Sequence, residues 1–569
     1  MRLHSFGLKV LGWVCLSSLG WAADGASTGR VFYNGKIFTG EPDHPYAEAV
    51  AIRGDKIVAV GANAEVTAVA GKDAERTDLQ GRCLLPGLID SHEHSIDGGV
   101  TLITAEVDTP GISVDDLMTF AAESKKNGKG MRGDILFISG LSSGHWSHTD
   151  VLNARFNSGI YAKQPLLLAG TDGHTGWANR ILLQRAGVTR DFLAHLSETQ
   201  RSYYGFDRNL EPDGFVVDAG LDRLLAMLPD FSAEQYLEAG RAAVRYNHAL
   251  GITAWLDPQA TTMDLQTYRR LAELGELDAH VAAFPEVHPR SETDPLARIQ
   301  SIRKAYAAVP NLTVPGFKIF ADGVVELPAQ SAAMSKPYKN TGLSGELLFD
   351  PAPYAALVTA ADKQGLIVHV HAIGDRAVHE VLNAFEAARK ANGNSGLPDT
   401  ITHVQFAAPD DIPRFAQLGI VAALQLFWAT AEEDSVELVK PYIDPAIYEW
   451  MYPARSLLDA GAVISGASDW PVSTANVFQA IYQAETRKGE KGVLNPSERM
   501  PREAMLYAYT RNSARAMNQL NSIGSIMPGK QADLVLVDRD VMTVPAEELK
   551  DTKVLWTMFG GKIVYQAGR

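Results

Sequence analysis

Short apolar runs of strand length alternate with longer stretches of helical periodicity through the middle of this chain, a pattern that predicts parallel strands joined by crossover helices. The runs are Leu84–Ile89, Ile252–Leu256, Ala279–Phe284, Val314–Phe320, Leu366–Val370, Thr400–Val404, Val421–Leu426 and Val463–Ala467. Eight such strands predict an α/β fold of the (β/α)8 TIM-barrel kind. The stretch between Ile89 and Ile252 is far too long for one crossover helix, so an inserted subdomain is expected after the first strand. Both chain ends read differently. Val31–Phe38 is expected to fold as a hairpin around Asn34-Gly35, and Ala49–Val60 as another around Gly54-Asp55. Near the other end, Ala532–Asp538 and the pair Val554–Phe559 and Lys562–Tyr565, joined by Gly560-Gly561, are also strand-like. The two ends are therefore expected to build one composite β-sandwich side domain. The expected organisation is a signal segment over 1–22, the composite β-sandwich over 23–84 and 520–569, the barrel over 85–97 and 230–519, and the insertion over 98–229.

The first residues change the picture of where the chain works. Arg2 and Lys9 precede an apolar stretch from Val10 to Trp21, and no acid occurs before Asp24. This is the pattern of a secretory signal with cleavage near Ala22. The stretch is shorter than the roughly 20 residues that span a bilayer, so a periplasmic or secreted protein with no membrane attachment after cleavage is expected. Removing Cys15 with the signal leaves Cys83 alone, which excludes an internal disulfide.

Composition fits a large folded protein, with 46% hydrophobic and 21% charged residues. Against 52 Lys and Arg stand 67 Asp and Glu, a formal charge of −15. That balance, without a polybasic run, argues against a nucleic-acid partner.

Candidate chemistry gathers at the ends of the predicted strands. The run from Leu84 leads directly into His92-Glu93-His94. Period-two geometry puts the two imidazoles on one side, where both nitrogens can face one cation. Lys318, His371, His403 and Asp469 follow four later runs. In a parallel barrel these positions share one mouth, the face at which such barrels carry out catalysis.

On these residues the chain resembles the amidohydrolase superfamily, and within it the YtcJ-like branch that includes N-substituted formamide deformylases. The marks are Pro86–His94, Asp172-Gly-His-Thr-Gly-Trp-Ala-Asn179, Lys318–Gly323, His371–Ala377, Asp469–Val472 and Ile523–Asp533. The resemblance, which runs from about Val31 to the C-terminus, implies a site for two divalent metal ions, most often zinc. In it His92, His94 and Asp469 hold one ion and His371 and His403 the other. Lys318, carboxylated to a carbamate, bridges them, since an ammonium cannot bind a cation. The implied reaction is hydrolysis of an amide-like C–N bond of a small molecule by metal-activated water. Asp469 takes the water proton and passes it to the leaving nitrogen.

His174 is expected to contact substrate, Trp177 to serve packing, and Phe427-Trp428 to suit an apolar or ring-bearing substituent. His369 departs from the branch, where an aliphatic residue is usual, and reads as a buried hydrogen-bonded histidine rather than a third ligand. Two alternatives stay open: a mononuclear deaminase of a heterocyclic amidine, and a non-catalytic regulatory relative. The deaminase reading lacks the glutamate expected after the fifth strand, because Ala372-Ile-Gly-Asp-Arg376 follows His371. Nothing in the chain fixes its oligomeric state, and a homo-oligomer is compatible with it.

Overall fold

The computed structural model describes residues 29–107, 111–170, 175–327 and 329–568. The signal segment expected over 1–22 and the substrate contact expected of His174 both lie outside the described residues. The described chain forms two compact units, one made of the residues up to Ser95 together with those from Val244 onward, the other Ile96–Ala243.

The first unit is a mixed α/β body. Its parallel strands are β1 (Leu88–Asp90), β2 (Ile252–Asp257), β3 (His280–Ala283), β4 (Gly316–Phe320), β5 (Ile367–Ala372), β6 (Thr400–His403), β7 (Val421–Leu424) and β8 (Val463–Gly466). β1, β2 and β3 pair in sequence order in one sheet, and β4 to β8 in a second. The sheets meet at both ends. Ser91 N donates to Gly466 O at 2.9 Å, and Val287 N to Lys318 O at 2.8 Å while Lys318 N donates to Pro285 O at 3.0 Å. Most positions of β2, β5, β6 and β7 are buried, as expected of parallel strands covered on both faces.

The helix Asp375–Asn392 after β5 shows how sequence sets the outer layer. Ala377, Val378, Val381, Leu382, Ala384, Phe385 and Ala388 recur at three- and four-residue spacing and are buried. Asp375 in its first turn and Arg389 and Lys390 in its last complement the helix dipole. Arg389 also pins neighbouring elements through Asp362 at 2.7 Å and Asp399 at 2.8 Å.

Two sequence expectations are corrected. Leu84–Ile89 is not one strand: Cys83–Pro86 pairs antiparallel with Leu534–Val537, and β1 begins after Gly87. A Cβ at Gly87 would lie 2.1 Å from Thr253 Oγ1, so only glycine lets the chain pass from one sheet to the other this close to β2. Nor is Val31–Phe38 a hairpin. Arg30–Tyr33 pairs with Ala49–Arg53 and Glu75–Asp78, whereas Lys36–Phe38 pairs with Tyr46–Ala47 and Cys83–Pro86. Asn34, at φ 54°, turns the chain between two different sheets. The Ala49–Arg53 and Lys56–Gly61 hairpin and the Val554–Phe559 and Lys562–Gln566 hairpin form as expected. One cluster joins the two terminal sheets, with Phe32, Val50 and Ile57 packed among Leu84, Leu534 and Met558.

The second unit holds a six-stranded mixed sheet with Ile135–Leu141, Leu166–Gly170 and Thr175–Ala178 at its centre. Trp177 is fully buried there and its indole N–H donates to Asp213 O at 3.1 Å, so it packs as expected. No helix among the described residues is long and apolar enough to cross a membrane.

Candidate metal centre

His92, His94, Lys318, His371, His403 and Asp469 all line one cavity of about 690 Å³ at the C-terminal ends of the parallel strands. Each is carried there by one of the parallel strands: His92 and His94 after β1, Lys318 within β4, His371 within β5, His403 at the end of β6 and Asp469 after β8. Glu93 between the two histidines turns away from the cavity. It is fully buried and accepts hydrogen bonds from Ser95 Oγ and, at 2.8 Å, Asn247 Nδ2. Burial pushes its carboxyl well above the ordinary range.

The backbone is forced into place at two of these residues. His403 and Asp469 have φ of 73° and 59°, and Val404 sits at 44°. A β-branched residue in the left-handed region is costly and persists only where its surroundings dictate it. Asp90 supplies part of that constraint, because its Oδ1 accepts from both His92 N at 3.0 Å and Ser468 N at 3.1 Å. Asp469 N in turn donates to His92 O at 2.8 Å. Asp322 does the same for the loop after β5, accepting from Ile373 N, Gly374 N and Ala333 N at 2.8 to 3.0 Å. Burial raises both carboxyls, each to about 7.

The donor atoms fit a divalent cation. One ligand atom each of His92, His403 and Asp469 lies within 4.8 Å of the others. Asp469 Oδ1 is 3.1 Å from His94 Nε2 and 3.3 Å from His92 Nε2. It is nevertheless a buried oxygen without a hydrogen bond, which is the arrangement of donors facing a shared ion rather than each other. His403 Nδ1 lies 3.1 Å from Gln425 Oε1, and Gln425 Nε2 donates to Thr402 Oγ1 at 3.2 Å. That chain puts the His403 proton on Nδ1 and leaves Nε2 bare. His371 Nε2 is 3.1 Å from Gly323 O and 3.7 Å from Asp322 Oδ1.

Electrostatics suit the same purpose. Burial lowers His92 to about 3 and His371 to about 4, and carries His403 well down, so these imidazoles are neutral near pH 7 as ligands must be. Burial pushes the Asp469 carboxyl up, and positive charge on the facing His92, His94 and His403 rings pulls it well below the usual range, the pull a bound cation would supply in place of their protons. Lys318 Nζ sits 3.5 Å from His92 Nε2, and burial lowers its ammonium to about 7.

Gln425, Asp90 and Asp322 are supporting residues to which the sequence reading gave no role. Gln425 carried a usable signal, since it lies near the C-terminal end of the predicted strand Val421–Leu426 and so reaches the same mouth as His403. Trp428 stacks on His403 with 5.7 Å between centroids and 8° between planes, and Phe427 and Trp428 both line the cavity.

Comparison with known proteins agrees with this geometry. The model of the amidohydrolase family matches residues 75–565. The chain is 30% identical over 98% of its length to "Protein LONG AFTER FAR-RED 3" of Arabidopsis thaliana, of which 95% is covered. It is 26% identical over 94% of its length to the "N-substituted formamide deformylase" of Arthrobacter pascens, with 97% of that protein covered. In fold it is similar to an uncharacterized metal-dependent hydrolase from Pyrococcus horikoshii, with a TM-score of 0.71 at 23% identity over 91% of this chain and 99% of that one. A cluster of side chains able to hold a metal at the mouth of parallel strands and a family match over most of the chain lead to one conclusion: this protein belongs to the amidohydrolase family.

Proposed function

We propose that the protein hydrolyses a C–N bond of a small molecule, an N-formyl, amide or cyclic amide group, at a centre for two divalent metal ions, and that its eight parallel strands form a (β/α)8 barrel beside a β-sandwich built from both chain ends. The observation that carries this reading is the convergence of four histidines, one lysine and one aspartate on a single cavity. The similarity to a formamide deformylase supports the choice of bond.

In this reading His92, His94 and Asp469 would hold one ion and His371 and His403 the other, and carboxylated Lys318 would supply oxygen donors and negative charge to both. Bound there, such ions, most often zinc, would supply acidification of water and polarisation of the scissile carbonyl. Asp469, already an anion, accepts the water proton and delivers it to the leaving nitrogen, without which an amine departs poorly. Gln425 keeps His403 in the tautomer that leaves Nε2 free. Phe427 and Trp428 offer an apolar wall for a substituent on the substrate and exclude water from that side.

Lys318 supports this reading over a mononuclear deaminase. Burial lowers its ammonium to about 7, toward the free amine that reacts with carbon dioxide, and it lies 3.5 Å from His92 Nε2 in the cavity that His371 and His403 also line. Export through residues 1–22 belongs to the same reading and rests on the charged start and apolar stretch of that segment. N-terminal sequencing of the mature protein checks it. The test of function is a screen of zinc-loaded protein against N-formyl, N-acyl and cyclic amides, with released amine or acid as readout. Ammonia release from heterocyclic amidines alone would favour the deaminase instead.

A further inference from the structure

His369 has no part in the reading above, and its surroundings ask for one. Its imidazole is completely buried on β5, in register with Lys318 on β4 and two residues before His371. Its Nε2 lies 2.7 Å from His92 Nδ1, whereas its Nδ1 is buried without any hydrogen-bond partner. Its ring also packs 5.7 Å from that of Phe284. An aliphatic side chain would fill this interior position and leave no ring nitrogen unpaired. The imidazole must therefore do something an aliphatic group cannot.

Counting protons over the pair shows what that is. A neutral imidazole carries its proton on one nitrogen and a lone pair on the other. His92 Nε2 faces Asp469 Oδ1 and Lys318 Nζ, at 3.3 and 3.5 Å, and it must be bare to bind a cation. The His92 proton then sits on Nδ1, whose partner among the described residues is His369 Nε2. That nitrogen must accept, so the proton of His369 moves to Nδ1, the nitrogen without a partner. In the opposite arrangement His369 Nε2–H donates to His92 Nδ1, and the His92 proton is driven to Nε2, where it blocks ligation.

We propose that His369 is a positioning residue, which accepts the Nδ1 proton of His92 and so holds His92 in the tautomer whose Nε2 is free to take a divalent cation. The inference rests on the metal-centre reading. Ligand histidines commonly give their second N–H to a carboxylate, a backbone carbonyl or water. A neutral imidazole performs the same task without adding a second buried negative charge beside Asp469.

The test is competition for zinc between a chelating indicator and the full-length, chelator-treated protein, as wild type, His369→Gln and His369→Leu. Glutamine offers an acceptor oxygen at about the reach of Nε2, and leucine offers volume without an acceptor. The leucine variant should lose about 10- to 100-fold in zinc affinity and the glutamine variant should stay within about threefold of wild type. A leucine variant as tight as wild type, or a glutamine variant as weak as leucine, overturns the inference while leaving the metal centre intact. A wild-type chain that binds no zinc overturns the metal centre and the inference together. Nitrogen-15 NMR of zinc-loaded wild type gives an answer even if the leucine variant does not fold. The His369 signals, assigned by their loss in His369→Gln, should show a protonated Nδ1 and a bare Nε2, and a protonated Nε2 overturns the proposal.

Discussion

Replacing Asp469 by asparagine separates the two tasks given to that residue. The side chain keeps its shape and one oxygen, and the bond from its backbone N to His92 O at 2.8 Å is untouched, so the loop after β8 should hold its course. The oxygen 3.1 Å from His94 Nε2 and 3.3 Å from His92 Nε2 also remains, so much of the ligation survives. What disappears is a carboxylate able to accept a proton. Removing a general acid-base group costs about 10² to 10⁴ in rate. A loss of 10²-fold corresponds to about 2.7 kcal/mol of transition-state stabilisation. Asp469→Asn should therefore lower kcat on an unactivated N-formyl amine by about 10²-fold or more, with KM and bound metal changed far less. The deficit should shrink for substrates whose leaving group needs no proton. The assay is steady-state release of amine by wild type and variant at matched metal content. Near-normal kcat for the variant on the unactivated substrate would refute the assignment and move the proton to another residue, for which His174 is the first candidate to replace.

Lys318→Ala should retain less than the full metal complement and recover part of its activity with added acetate or another small carboxylate, while wild type shows the mass of one bound carbon dioxide in native mass spectrometry. Lack of rescue together with an unmodified wild-type amine would remove the carbamate. Chelator-treated wild type should gain stability relative to Lys318→Met as pH rises from about 7 toward 10.5, read as the difference in Tm in carbonate-free buffer. The sign follows because the unfolded chain keeps the lysine proton through that window and the folded chain does not. A flat difference would place Lys318 in a water-like setting. Trp428→Ala, which removes a cavity wall and the ring stacked on His403, should raise KM for ring-bearing substrates by about tenfold, more than it lowers kcat. An unchanged KM would separate Trp428 from recognition.

Much of the parallel framework was legible because strands buried on both faces are continuous apolar runs, and β2, β5, β7 and β8 fall within a residue or two of where such runs lie. Leu84–Ile89 misled for the same reason. Apolar continuity cannot show where a chain leaves one sheet for another, and only the close approach at Gly87 marks the change. Asn34-Gly35 misled because a turn dipeptide records a reversal of the backbone, not which strands pair afterwards. The six ligand candidates were legible as metal-binding residue types at strand ends. Their supports were not. Asp90 and Asp322 act by accepting several backbone hydrogen bonds, and Gln425, though near a strand end, by a bond to His403; no spacing along the chain records such contacts. His369 stood out only by chemical type, and its partner on β1 is 277 positions away in sequence.

In the proposed reaction the residues at this cavity hold two divalent ions, and hydrolysis needs both. The direct measurement is elemental analysis of mature protein prepared without chelator, made alongside amine release, for wild type, His92→Ala and His371→Ala. The expected result is close to two ions per chain in wild type, fewer in both variants, and turnover lost in both. Equal metal content and full activity in all three would contradict it.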